Sequence, residues 1–136
     1  MKYKKIKIFT DGGARGNPGP AGIGAIAYGE DDEIIGEKSE FIGRATNNQA
    51  EYRAVIAAFD LIGKFEADEV NFFLDSELVV KQLKGEYRVK NQELAPFFLK
   101  IHNLKQKYKK ISFTHIRREF NKEADRLANE AMDRSA

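Results

Sequence analysis

The sequence predicts an α/β fold, a mixed sheet with helices packed on it, and three features carry that prediction. Hydrophobic side chains make up 42% and charged ones 32% of the 136 residues, the balance of a globular chain long enough to bury a core as one domain over residues 1–136. Apolar residues first recur every second position, and at Thr46 the period changes to the helical one. Beyond that point strand-like and helix-like segments alternate, with a strand pattern followed by a helix pattern more than once.

From Lys4 to Asp11, Ile6, Ile8 and Thr10 alternate with Lys5, Lys7 and Phe9, the period of a strand, and Asp11 closes it. The next stretch, GGARGNPGPAG, is so dense in glycine and proline that it is expected to lack regular structure and to form a shaped turn. Gly24–Tyr28 and Ile34–Ile42 flank the polar turn at Gly29–Asp32 and complete an antiparallel meander. A helix follows from Thr46, capped by Asn47 or Asn48, with Ala54, Val55, Ala58, Leu61, Ile62 and Phe65 on its apolar stripe.

Glu69–Leu74 reads as a strand ending at Asp75, and Ser76 as the cap of a brief helix through Leu83. A longer helix is expected over Gln92–Tyr108, a last strand over Ile111–Ile116, and a terminal helix capped by Asn121. Residues 133–136 read as a frayed tail, and no internal repeat or linker interrupts the run.

Composition excludes several function classes. With no cysteine there is no thiolate chemistry, and with two histidines, His102 and His115, zinc or copper ligation by soft donors is disfavoured. No apolar run approaches the roughly 18 residues of a membrane span, and the start lacks a signal peptide's apolar stretch, so no membrane partner and a cytoplasmic setting are expected. A net charge of +2 permits a nucleic-acid partner without demanding one.

Most of the 21 acids read as solvated surface, but four resist that reading. Asp11 and Asp75 each end a strand beside Phe9 and Phe73 on one face, at the sheet edge where α/β proteins bind ligands. Glu51 shares a helix stripe with Val55, Ala58 and Ile62, so its carboxylate faces the sheet; a first-turn position stabilised by the helix dipole is the alternative. Asp125 falls in the first turn of the terminal helix, where the dipole alone could explain it, yet Ala128 and Met132 place it at the edge of the apolar stripe. Four inward carboxylates call for a common partner, and hard oxygen donors suit Mg²⁺, or Mn²⁺, in phosphodiester hydrolysis.

Four segments, TDGGARGNPGPAGIGA, TNNQAEYRAVIAA, LDSELVVKQL and NKEADRLANEA, together resemble type 1 ribonuclease H, with one of these acids in each. The resemblance spans nearly the whole chain. It implies a five-stranded mixed sheet with helices on both faces, and an endonuclease that cuts the RNA strand of RNA–DNA hybrids to leave 5′-phosphate and 3′-hydroxyl ends. By motif position, Asp11, Glu51, Asp75 and Asp125 would hold two Mg²⁺ ions, with Asp11 bridging them. Asp125 would complete the site of the ion that activates water, and Glu51 and Asp75 that of the ion at the leaving 3′ oxygen. A monomer is expected. Gly12 and Gly13 would let RNA approach the backbone, while Asn17, Asn47, Asn48 and Gln49 offer minor-groove hydrogen bonds. Thr46 and Asn48 resemble DNA-strand phosphate contacts; capping and turn formation are the bland readings of these polar residues.

The sequence also departs from the family pattern. The segment from Ile116 to Lys122 lacks the histidine that family members often carry before the final helix, and Arg118 is expected to occupy its space, holding phosphate through its planar fork. Glu77 stands where glutamine often follows Asp-Ser, removing an amide donor. There is no tryptophan and no lysine-rich protrusion, so the grip on substrate is expected to be weaker and steeply salt dependent. Another nuclease on the same fold, a non-catalytic hybrid-binding module, and cutting of duplex RNA are the alternatives.

Overall fold

The computed structural model describes residues 2–134. β1 (Lys2–Ala14), β2 (Gly19–Tyr28) and β3 (Ile34–Ala45) form an antiparallel meander. β4 (Glu66–Leu74) pairs with β1 in parallel, and β5 (Lys110–His115) with β4, giving a five-stranded mixed sheet in the order β3-β2-β1-β4-β5. Between and after the strands come α1 (Asn47–Ile62), α2 (Glu77–Leu83), α3 (Ala95–Lys105) and α4 (Lys122–Arg134). The expected fold class and order of elements are those observed.

Alternation along β2 sorts the helices to opposite faces. Ala25 and Ala27 join the main core with Ile6 and Ile8 of β1, Tyr52, Val55 and Phe59 of α1, and Ile101 of α3. Gly22 and Gly24 point the other way, where α4 packs; a Cβ at Gly24 would collide with the Ala124 carbonyl and the Ala128 amide nitrogen. The missing side chains let the α4 backbone lie against the sheet, and Ala124, Leu127, Ala128 and Ala131 are buried there.

Several boundaries differ from the sequence expectation. The glycine-rich stretch is mostly strand: Gly12, Gly13 and Ala14 pair with Ile23, Gly22 and Ala21, and only residues 15–18 turn. Glycine density signalled a break, and Gly16 and Gly19 do serve the turn, but Gly12 and Gly22 sit in strands where the missing side chain admits a helix. At Gly12 a Cβ would collide with the Ala50 carbonyl of α1. The cap of α1 is Thr46, not Asn47 or Asn48: its side chain accepts from Gln49 N at 3.1 Å, and the Gln49 side chain accepts from Thr46 N at 2.8 Å.

α3 is shorter than the expected 92–108, because Asn91 Oδ1 accepts from Glu93 N at 2.7 Å in a turn before it and Pro96 fixes its first turn. Asp133 and Arg134 are helical rather than frayed, tied by Arg15–Asp133 at 2.6 Å and by Arg134 Nη2 donating to Ser39 O at 2.8 Å. The rest of that expected tail, Ser135 and Ala136, lies outside the described residues.

Candidate active site

The parallel register of β1 and β4 creates the site. Phe9 is level with Phe73, their rings stacked at 4.8 Å, so two residues further on the same face is shared by Asp11 and Asp75. Glu51 reaches the same point from α1, across the gap that Gly12 leaves open. One carboxylate oxygen from each of Asp11, Glu51 and Asp75 lies within 4.8 Å of the others. Asp125, from the first turn of α4, borders the same cavity of 550 Å³, close enough to Asp11 to raise its titration. All four acids meet at one edge of the sheet, as the sequence suggested.

Glu51 is 6% exposed, and its Oε1 accepts from Gly12 N at 2.6 Å. Its Oε2 is buried without a partner. The helix-dipole alternative does not account for this placement, since no acid stands in the first turn of α1 and Glu51 belongs to the next. Burial is the largest influence on its titration and pushes it upward, opposed by hydrogen bonds from Asp11 and the Gly12 amide. Asp11 is driven far above the usual carboxylate range, first by burial and then by the negative charges of Glu51 and Asp75. Without a cation, burial and mutual repulsion therefore favour keeping a proton on the Asp11–Glu51 pair.

Burying carboxylates together is costly unless a cation or proton compensates them. Hard oxygen donors from three elements, one with an orphaned oxygen, fit a divalent ion such as Mg²⁺.

Gly12, Gly13, Asn47, Asn48 and Arg118 line the cavity with the acids. Arg118, exposed in the 3-10 turn Arg118–Phe120, lowers the affinity of Glu51 for its proton. Asn17, Thr46, Gln49 and Glu77 are not in the lining. Asn17 Oδ1 accepts from Asn47 N at 3.0 Å, Thr46 and Gln49 form the α1 cap, and Glu77 lies 3.4 Å from Lys81 and 3.8 Å from His115. His115 occupies β5 and His102 the exposed side of α3, and neither lines the cavity.

The lining also includes Arg15, Ser76 and Asn129, to which the sequence reading gives no role in the site. Asn129 follows Asp125 by four residues and its Nδ2 donates to the Asp125 carbonyl at 3.0 Å, a helical spacing that could have flagged it. Asn121 does not cap α4 with its side chain. Its Nδ2 instead donates to Thr10 O and to Asp75 Oδ2, both at 2.9 Å.

Residues 9–131 match a family model described as reverse transcriptase-like. The fold superposes on the crystal structure of RNase H1 from Halobacterium salinarum with a TM-score of 0.92 and 41% identity, covering 96% of this chain and 98% of that one. The chain belongs to the ribonuclease H family. A further member of the family, LC11-RNase H1, solved in complex with an RNA/DNA hybrid, is 47% identical with a TM-score of 0.90, over 96% of this chain and 98% of that one. A protein of Mycobacterium tuberculosis called bifunctional is 44% identical over 133 residues. That match takes in 97% of this chain but only 36% of the relative, so the ribonuclease H chain spans about a third of its length.

Proposed function

We propose that this chain is a metal-dependent endoribonuclease that hydrolyses the RNA strand of RNA–DNA hybrids, leaving 5′-phosphate and 3′-hydroxyl ends. The observation that carries the reading is the convergence of Asp11, Glu51 and Asp75 within 4.8 Å, with an unpartnered buried oxygen among them. The hybrid bound in the complex of LC11-RNase H1 supports the substrate class.

Asp11, Glu51, Asp75 and Asp125 would hold two Mg²⁺ ions, or Mn²⁺, with Asp11 central because it contacts both Glu51 and Asp125. Bound there, such ions act as Lewis acids on the scissile phosphate and make water nucleophilic at neutral pH. Asp11 must release the proton it shares with Glu51 before it can serve as a ligand. Arg118 presents an exposed guanidinium at the cavity mouth to hold a phosphate oxygen, taking the space of the absent histidine without relaying a proton.

At Gly12 and Gly13 the backbone has no side chain to keep the RNA strand away, and Asn47 and Asn48 supply amide groups beside them. Asn17 holds Asn47 in place through its main-chain N–H. Thr46 and Gln49 fix the start of α1, and thereby the orientation of Glu51 one turn on. Recognition by shape and 2′-hydroxyls makes cutting independent of base sequence.

Four labelled substrates test the proposal: hybrid, duplex RNA, duplex DNA and single-stranded RNA, each with Mg²⁺, Mn²⁺ or chelator. Cleavage of the hybrid's RNA strand in the metal arms alone is expected. Hybrid binding with no cleavage in any metal would overturn the catalytic reading in favour of a binding module.

A further inference from the structure

Asn121 is 1% exposed and has given up water to reach the carboxylate cluster. We infer that Asn121 is the positioning residue that sets the spacing of the metal-binding carboxylates. This rests on the metal-dependent reading above and extends it to a residue that touches neither substrate nor ion.

Three bonds carry the inference, each leading to a different acid-bearing element. Nδ2 donates to Thr10 O at 2.9 Å, and Thr10 immediately precedes Asp11 on β1. The same nitrogen donates to Asp75 Oδ2 at 2.9 Å, at the end of β4. The Asn121 carbonyl accepts from Asp125 N at 3.1 Å, fixing the first turn of α4. No other side chain among the described residues hydrogen-bonds both a carboxylate of the cluster and the strand that carries another. A donor committed to Oδ2 of Asp75 leaves Oδ1 for a cation and stops the side chain from swinging away from its like-charged neighbours.

A cap residue chosen only for helix stability would use its side-chain oxygen on the first turn of α4. Asn121 Oδ1 instead is buried with no partner, as is Thr10 Oγ1. Leaving a buried acceptor unsatisfied is destabilising, and helix stability alone gives no reason to incur that loss. Geometry around the carboxylates explains it.

The test compares wild type with Asn121→Leu, which removes the donor while keeping a side chain branched at the same carbon. Mg²⁺ affinity is measured calorimetrically without substrate, alongside kcat and KM on a hybrid and hybrid binding in chelator. Asn121→Leu is expected to weaken Mg²⁺ binding about tenfold and lower kcat, with hybrid binding unchanged and kcat recovering as Mg²⁺ is raised. A folded variant with wild-type Mg²⁺ affinity would overturn the inference.

Should Asn121→Leu fail to fold, the wild-type protein decides. The side-chain amide resonance of Asn121 should shift with Mg²⁺ and saturate together with the cluster, and an amide indifferent to saturating Mg²⁺ would overturn the inference as well. Wild type that binds no Mg²⁺ and cuts no hybrid would instead sink the reading on which it rests.

Discussion

Replacing Asp11 by asparagine should stabilise the protein in chelator while abolishing its activity. The native Asp11–Glu51 pair holds a proton that the unfolded chain, with ordinary carboxyls, releases above a pH of about 4. A carboxyl whose native affinity for protons is raised loses stability as pH climbs from the unfolded value toward the native one, because the native state then binds more protons than the unfolded chain. One extra proton gives a slope of about 1.4 kcal/mol per pH unit, or about 2.7 kcal/mol between pH values of about 5 and 7. Asp11 is only partly buried, so water screens part of this repulsion, and about 1–3 kcal/mol is expected.

The asparagine amide keeps the volume and can donate to Glu51, which removes the share of that slope due to Asp11. Thermal melts in chelator should place Asp11→Asn roughly 3–10 °C above wild type near neutral pH, with the gap closing toward pH of about 4. Millimolar Mg²⁺ should raise the midpoint of wild type and leave the variant unmoved. Parallel pH profiles for the two proteins would refute the shared proton and, with it, the account of why these acids need a cation.

Arg118→Ala should lower kcat/KM on a hybrid by roughly 10- to 100-fold, the loss of one charge-assisted phosphate contact, without moving the melting temperature; an unchanged rate would make the turn a bystander. Gly24→Ala forces the α4 backbone off the sheet and should cost about 1–3 kcal/mol by urea titration, with activity falling as Asp125 is displaced. Tyr52→Phe removes the buried bond from Tyr52 Oη to Gln82 Oε1 at 2.6 Å, so about 1–2 kcal/mol of stability should be lost with cleavage unaffected at a temperature well below the melt.

Sequence carries three of the four acids because each violates a local rule that can be read without coordinates, whereas Asp125, an ordinary first-turn acid, stands out only by the company of the other three. Glu51 interrupts an apolar stripe, and Asp11 and Asp75 stand at equivalent ends of strands whose Phe9 and Phe73 prove to be level neighbours. Asn121 was not legible as anything but a cap, since asparagine before a helix is an ordinary signal and only tertiary contacts reveal that its amide faces Asp75. The strand content of Gly12, Gly13 and Ala14 was hidden for a related reason. Glycine marks a turn locally, whereas Gly12 serves the close approach of α1, and Gly22 and Gly24 that of α4, a property of how the layers meet. Thr46, likewise, competes with two adjacent asparagines for the capping role, and the reciprocal bond from Gln49 settles the competition.

Asp11 belongs to the first strand and Asp125 to the last helix, so the two ends of the sequence must meet before the carboxylate group is complete. A chain emerging from the ribosome can pair β1 with β2 and β3 early, because those contacts are local, yet it has no finished centre until α4 is released and docks. With the activity proposed above, cleavage would therefore first appear once α4 has docked, and until then the topology would keep the nascent chain from attacking nearby nucleic acid.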